Sequence, residues 1–183
     1  MGRLIDRLVE LPWYHDRDAF ESLATSIVGQ QLSTSAASTI QARVEALIGE
    51  WAPEAILAHD HDELRATGLS NSKVRFLLDL SQRVASGDLD LDVLDGLSDE
   101  EVIAELTRVK GIGRWTAEMF LIFWFDRPDV FSMGDAGLRA AIAEYWGVDA
   151  RDDGAIRRIQ SRWEPYRSLA SRILWRSRYK LPA

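Results

Sequence analysis

One glycine-rich turn and one carboxylate are the residues of this chain best suited to chemistry. Gly111 and Gly113 form a Gly-x-Gly turn. Glycines tolerate positive φ, and such a turn ahead of a helix presents backbone N–H groups to a phosphate. Asp135 follows about two dozen residues later, just before a stretch that favours a helix. The turn and the carboxylate together predict a protein that binds a nucleic-acid backbone and acts on one nucleotide.

Both features also have ordinary interpretations, which the residues alone leave open. Gly-x-Gly occurs in helix–helix turns that bind nothing, and Asp135 is a suitable N-cap for the helix that begins near Gly137. The chain holds seven tryptophans, and aromatic faces stack on bases at about 1–3 kcal/mol each. Trp115 lies just inside the helix after the turn and Trp175 lies in the basic C-terminal segment, although most tryptophans of a helical protein belong to its core.

The elements that must position these residues are predicted to be helices. Ser98 and the acids at 99–101 predict a helix start, and that helix ends at the 109–113 turn. The next helix is predicted over 114–125, and the one after Asp135 over 137–145. Apolar spacing and breakers predict further helices from Ala19, from Pro53, and over 35–48, 62–66, 72–86, 155–162 and 166–178. No stretch indicates a strand, so the predicted fold class is all-α.

Composition and charge narrow the function classes. Hydrophobic residues make up 46% of the 183 residues, which predicts a packed core. The absence of cysteine excludes disulfides, thiolate zinc sites and iron–sulfur clusters, and fits an intracellular protein.

The net charge is −7, yet residues 151–183 hold nine Arg or Lys against three acids. That segment is either a phosphate-binding face or a solvated helix. The longest apolar run, 119–125, is too short for a membrane span.

Several motifs resemble one family. LTRVKGIGRWTAEMFLIF and DVFSMGDAGL resemble the helix-hairpin-helix DNA glycosylases, within them the DNA-3-methyladenine glycosylase II group. DAFESLATSIVGQQLSTSAA, LRATGLSNSKVRFLLDLS and WEPYRSLASRILW agree in the same order. The resemblance implies two helical subdomains with a DNA-binding cleft between them. One is a middle bundle over 21–127 that ends in the helix-hairpin-helix at about 98–125, and the other is a lobe of 1–20 and 128–183 that carries the Asp135 loop.

The resemblance implies a monofunctional glycosylase of base excision repair. Such an enzyme flips an alkylated purine, 3-methyladenine and also 7-methylguanine, out of duplex DNA and hydrolyses its N-glycosidic bond. Asp135 is the implied catalytic residue, which stabilises positive charge on the sugar. Trp115 stands where lyase-competent relatives carry the lysine that forms a Schiff base, so no lyase activity is expected. Trp115, Met119 and Trp175 are the implied base-pocket residues.

The resemblance also implies how the DNA is held. Gln31, or alternatively the adjacent Leu32, is the implied wedge that fills the gap left by the flipped base. The implied DNA-backbone contacts are Gly111, Gly113, Lys110, Arg114, Thr116, Ser33, Thr34 and Lys73, of which the last three are alternatively surface caps. The carbonyls of Thr107, Val109 and Gly111 are the implied ligands of a monovalent cation, Na⁺ or K⁺, and no other cofactor is required.

The partner expected from these inferences is double-stranded DNA that contains alkylated bases. The protein is expected to be a monomer without membrane association, located in the cytoplasm with the nucleoid, or in the nucleus if eukaryotic. Two alternatives stay open. One is a glycosylase for deaminated or oxidised bases, since pocket shape decides the lesion. The other is a non-catalytic helix-hairpin-helix module that binds damaged DNA.

Overall fold

The structure, a computed structural model, describes residues 18–178. The interpretations made for residues 1–17, including their part in a second lobe, lie outside the described residues. Within the described range the chain forms helices, turns and loops without a strand, which confirms the all-α fold class. The α-helices are α1 (Ala19–Gly29), α2 (Thr34–Ile48), α3 (Pro53–Leu57), α4 (His61–Ala66), α5 (Asn71–Ala85), α6 (Asp99–Leu106), α7 (Arg114–Phe123), α8 (Ala136–Trp146), α9 (Asp153–Gln160) and α10 (Arg167–Arg178).

Side-chain caps explain where several of these helices begin. Ser98 and Glu101 form a capping box, in which the Ser98 hydroxyl accepts from the Glu101 N–H and the Glu101 carboxylate accepts from the Ser98 N–H. This confirms the helix start predicted at Ser98. Asp60 and Glu63 form a second capping box at α4. Each cap is worth about 1 kcal/mol, so local sequence fixes these boundaries.

The described residues divide into two compact units, 18–120 and 121–178, and the division falls within α7. In the first unit α5 is the central helix, since α1, α3 and α4 pack on it and α2 packs on α1. Its core is aliphatic, with Leu23, Ile27, Leu77 and Leu106 almost fully buried. Burial of each such side chain contributes about 1.5–3 kcal/mol. The subdomain boundaries predicted at 20/21 and 127/128 stay predictions.

The second unit contains α8, α9 and α10, with α8 packed against both of the others. Its buried core consists of Leu138, Ala141, Ile142, Ile156 and Leu174. Trp146 and Trp163 pack against this core with their ring centroids 5.5 Å apart. These two tryptophans are therefore structural, in agreement with the interpretation that most tryptophans of the chain serve the core.

Two predicted helices differ from the structure by two residues at a boundary. The helix predicted over 155–162 is α9, which begins at Asp153 because the Asp152 side chain caps it, and ends at Gln160.

Helix α7 was expected to reach Phe125 but ends at Phe123. The chain leaves the helix because Asp126 adopts a left-handed backbone with φ of 50°, and the Arg127 N–H then donates to the Leu121 carbonyl. None of the helices in the described range is long and apolar enough to cross a membrane.

Candidate active site

Asp135 lies at the N-terminus of α8 as its N-cap. Its Oδ1 accepts a 2.7 Å hydrogen bond from the Leu138 N–H, and the residue is only 8% exposed. The capping interpretation is therefore confirmed. The same Oδ1 also accepts a 2.9 Å hydrogen bond from the Trp175 indole Nε1–H on α10. The cap and the indole together fix the orientation of the carboxylate.

Two hydrogen-bond donors and a helix N-terminus surround one oxygen of the Asp135 carboxylate. The N-terminus of α8 carries partial positive charge, and hydrogen bonds donated to a carboxylate are stronger than those between neutral groups. A carboxylate held in this way can stabilise positive charge that develops on a molecule beside it without first reorganising. The Asp135 carboxylate can therefore stabilise a nearby positive charge as well as cap α8.

Gly137 leaves the space that this arrangement needs. A Cβ built on Gly137 would lie 3.1 Å from Asp135 Oδ1 and 3.4 Å from Trp175 Cδ1. Any side chain there would crowd the Asp135 oxygen and contact the Trp175 ring. The sequence analysis did not single out Gly137 for this role. The available signal was a glycine inside a predicted helix, where alanine would be favoured by about 1 kcal/mol.

The glycines of the Gly-x-Gly turn differ in their roles. Gly111 has a φ of 85°, and a Cβ on it would lie 2.1 Å from Cδ2 of the Phe76 ring, so only glycine fits. Gly113 is not left-handed, and a Cβ on it would meet nothing within 4 Å. One left-handed residue is enough because the Ile112 N–H closes the turn on the Val109 carbonyl.

Two polar residues anchor this turn, and the sequence analysis identified neither. Asp79 on α5 accepts 2.9 Å from the Lys110 backbone N–H and pairs with the Lys110 ammonium at 3.2 Å. Gln30 Nε2 donates to the Gly111 carbonyl at 2.9 Å. Partial burial opposes ionisation of Asp79, but hydrogen bonds from Lys110 and Arg83 outweigh it and lower the pKa of this carboxyl. The turn is thus held in place from α5 and from the end of α1.

The three cations expected to contact DNA already have partners within the protein. Arg114 pairs with Glu100 and Glu118, and the hydrogen bonds that its guanidinium donates to Glu100 raise the pKa of that guanidinium. Lys73 Nζ donates 2.7 Å to the Val28 carbonyl, and desolvation lowers its pKa. Lys110 pairs with Asp79, as described above. A phosphate contact by any of the three would compete with these partners or use the N–H donors that they leave over.

The other expected backbone contacts are hydroxyl residues. Ser33 is the N-cap of α2, where its hydroxyl accepts from the Ala36 N–H, and Thr34 is the first residue of that helix. Thr116 is 6% exposed, so its side chain offers little surface and its backbone N–H in the first turn of α7 is the better candidate. Their contacts with DNA stay predictions.

The predicted wedge and one predicted base-pocket residue are exposed. Gln31 adopts a left-handed backbone with φ of 58°, which is uncommon for a non-glycine residue. Leu32 is 37% exposed, and Trp115 in the first turn of α7 is 48% exposed. Met119 lies one turn further along α7 and is half-buried. Within the first unit, the Gln30–Gly111 hydrogen bond ties the loop that carries Gln31 and Leu32 to the Gly-x-Gly turn.

The chain is similar to one protein family and to solved structures of the same fold. Residues 24–166 match the family described as HhH-GPD superfamily base excision DNA repair protein. A solved DNA-3-methyladenine glycosidase from Bacillus halodurans has a TM-score of 0.87 at 36% identity, covering 98% of this chain and 84% of that chain. The 3-methyladenine DNA glycosylase of Schizosaccharomyces pombe, solved in complex with abasic DNA, has a TM-score of 0.83 at 28% identity, covering 96% and 89%.

The sequence is also similar to those of curated DNA-3-methyladenine glycosylases. The DNA-3-methyladenine glycosylase of Saccharomyces cerevisiae is 33% identical, over 87% of this chain and 66% of its own length. The chain spans about three fifths of the length of the curated relatives it matches.

Proposed function

The chain belongs to the HhH-GPD superfamily of base excision DNA repair proteins, and from this premise we propose that it is a monofunctional DNA glycosylase for alkylated purines. Its proposed substrates are 3-methyladenine and 7-methylguanine in duplex DNA. The observation that carries the proposal is the Asp135 carboxylate, buried at a helix N-terminus and oriented by the Trp175 indole. A module that only binds DNA has no need of a carboxylate held in this way.

The proposed reaction is hydrolysis of the bond between deoxyribose C1′ and the purine nitrogen. As that bond breaks, its electron pair leaves with the base and positive charge develops on the sugar. Asp135 stabilises this charge, and a water molecule then bonds to C1′ and releases its proton to solvent. A purine alkylated on a ring nitrogen is already cationic, so it departs as a neutral base without a general acid.

The absence of lyase chemistry follows from Trp115. A lyase forms a Schiff base between an amine and the sugar. The side chain of Trp115 carries no nucleophilic amine, and it stands where the lyase-competent relatives are expected to carry lysine. We therefore propose that the product is an intact abasic site.

Duplex DNA is the proposed partner. Backbone N–H groups at the Gly-x-Gly turn and the N-terminus of α7 would bind phosphate. The exposed Gln31 and Leu32 would fill the gap left by the flipped base, and the aromatic face of Trp115 would contact the base. The protein is proposed to act as a monomer wherever cellular DNA lies, in the cytoplasm or, if eukaryotic, in the nucleus.

A monovalent cation at the turn is a further part of the proposal. The Val109 and Gly111 carbonyls accept hydrogen bonds from Ile112 and Gln30. Each carbonyl oxygen has a second lone pair, so both fit a Na⁺ or K⁺ ion shared with the Thr107 carbonyl. The ion would supply positive charge for a DNA phosphate. No other cofactor is proposed.

The test is base release from damaged duplex DNA. Duplexes that contain methylated purines, uracil or 8-oxoguanine are incubated with the protein, and released bases are separated by chromatography. We expect release of 3-methyladenine and 7-methylguanine, with strand breaks only after alkali. Release of only uracil or 8-oxoguanine would show that the substrates are deaminated or oxidised bases instead of alkylated purines. Binding to abasic DNA without release of any base would support the non-catalytic alternative.

A further inference from the structure

The Trp175 indole is supported by two residues, Phe123 and Arg172, to which no role has yet been given. We propose that Phe123 and Arg172 are positioning residues, which hold Trp175 so that its Nε1–H donates to Asp135. The catalytic consequence rests on the proposed function, whereas the structural part of the inference does not. Three contacts in the unit 121–178 carry it.

The first contact joins α10 to the N-terminus of α8. Trp175 Nε1 lies 2.9 Å from the Asp135 Oδ1 that also caps α8. Rotation of the indole within its plane, or a tilt of the ring, would break this bond because an N–H donor must point at its acceptor. The carboxylate then keeps its cap but loses the second donor that fixes its direction.

The second contact supports the face of the indole. The Phe123 ring stacks on Trp175 with centroids 5.6 Å apart and an angle of 29° between the planes. Phe123 is the last residue of α7, just before the left-handed turn at Asp126. The stacked ring therefore limits the tilt of the indole from the end of a different helix.

The third contact holds Phe123 in turn. The Arg172 guanidinium lies 5.5 Å from the centre of the Phe123 ring and its NH1 lies 3.7 Å from Asp126 Oδ1. Arg172 is 8% exposed, and a buried charge is retained only where partners offset its desolvation. Arg172 also lies one helical turn before Trp175 on α10. The cation thus fixes the phenyl ring, and the phenyl ring fixes the indole.

The experiment follows the Trp175 indole directly. In ¹H–¹⁵N spectra of the full chain, Trp175→Phe removes one indole cross-peak and so assigns it. We expect Arg172→Met and Phe123→Leu each to shift this cross-peak and to speed its hydrogen exchange. Single-turnover release of 3-methyladenine should fall about tenfold while affinity for abasic DNA changes less than twofold.

Arg167→Met is the matched control. Arg167 also lies on α10 and pairs with an acid, Asp129, at 2.7 and 2.9 Å. It should lower stability but leave the Trp175 cross-peak and the release rate unchanged. If Arg172→Met does not fold, Phe123→Leu, which keeps an apolar side chain, still decides the question.

Two results would overturn the proposal. One is an unchanged hydrogen-exchange rate of the Trp175 indole in folded Phe123→Leu, since loss of the stacked Phe123 ring shifts the cross-peak whether or not the indole moves. The other is the same shift in the Arg167 control, which would make the effect a general loosening of α10. Failure of the proposed function is a different result, because the wild type would then release no methylated base while the cross-peak still responded to Arg172 and Phe123.

Discussion

At the scale of single residues, Asp135 Oδ1 caps a helix and belongs to the carboxylate for which a chemical role is proposed. The helix cap and the indole hydrogen bond meet on one oxygen, so the two interpretations of Asp135 are not exclusive. The cap was predictable, because it depends on residues three positions apart. The Trp175 bond was not, because it joins residues 40 positions apart and depends on how α8 packs against α10.

Gly137 offers a test at this scale. In Gly137→Ala the new Cβ would crowd Asp135 Oδ1 and contact Trp175, so the carboxylate must move by a few tenths of an ångström. Since small misplacements of a reacting group are costly, we expect single-turnover base release to fall roughly 3- to 10-fold. The free energy of unfolding should change by less than about 1 kcal/mol, because the helix preference of alanine offsets the displacement of Asp135.

The matched control for this change is Gly134→Ala. Gly134 lies in the loop just before α8, is not left-handed, and a Cβ on it would meet nothing within 4 Å. Its release rate should equal that of the wild type. Equal rates for both alanine variants would show that Gly137 has no influence on Asp135.

At the scale of elements, the Gly-x-Gly turn is fixed by contacts from elsewhere in its unit. Gly111 packs against Phe76, Asp79 holds Lys110, and Gln30 holds the Gly111 carbonyl. The turn itself was predictable from its glycines. Its anchors were not, since Asp79 and Gln30 lie 31 and 81 positions from their hydrogen-bond partners.

The two glycines of the turn should respond differently to alanine. Gly111→Ala should lower the free energy of unfolding by about 1–3 kcal/mol, because the residue is left-handed and its Cβ would overlap Phe76. Gly113→Ala should change stability by less than about 0.5 kcal/mol. It should nevertheless weaken binding of abasic DNA several-fold, because a methyl group would separate the backbone from the phosphate.

Urea denaturation and fluorescence anisotropy measure these two effects. A Gly111→Ala protein as stable as the wild type would contradict the packing described for this turn. Unchanged DNA affinity in Gly113→Ala would instead argue that no phosphate approaches the turn at this point.

Asp79 gives the turn a pH-dependent stability. The pKa of Asp79 is lower in the folded protein than its ordinary value, which is about 3.9 in an unfolded chain. Its contribution is therefore fully present above the unfolded pKa and is lost as the pH falls through the lower folded pKa. We expect Asp79→Asn to cost about 1–3 kcal/mol near pH 7, and this difference from the wild type to shrink below about pH 4.

The measurement is urea denaturation of both proteins between pH 3 and pH 7. Glu45→Gln serves as the control, because Glu45 is an exposed carboxylate on α2. A stability difference for Asp79→Asn that stays constant across this range would contradict the role given to the ionised carboxylate.

At the scale of the whole molecule, the overall charge is a poor guide to the partner. The net charge is −7, which by itself disfavours a polyanion as partner. The contacts proposed for DNA are instead local: backbone N–H groups, a helix N-terminus and exposed side chains such as Leu32 and Trp115.

Fold class was predictable because helix signals are local, and the family was recognisable because its motifs are short and continuous. The identity of the lesion was not, because it depends on the shape of the base pocket.

The measurement that tests the central claim most directly compares the wild type with Asp135→Asn. Asparagine retains an oxygen that can cap α8 and accept from Trp175, so this change removes the charge and keeps the geometry. Single-turnover release of 3-methyladenine and affinity for abasic DNA are measured in parallel. We expect release to fall by at least about 100-fold with affinity unchanged or higher. Release at the wild-type rate by Asp135→Asn would contradict the account.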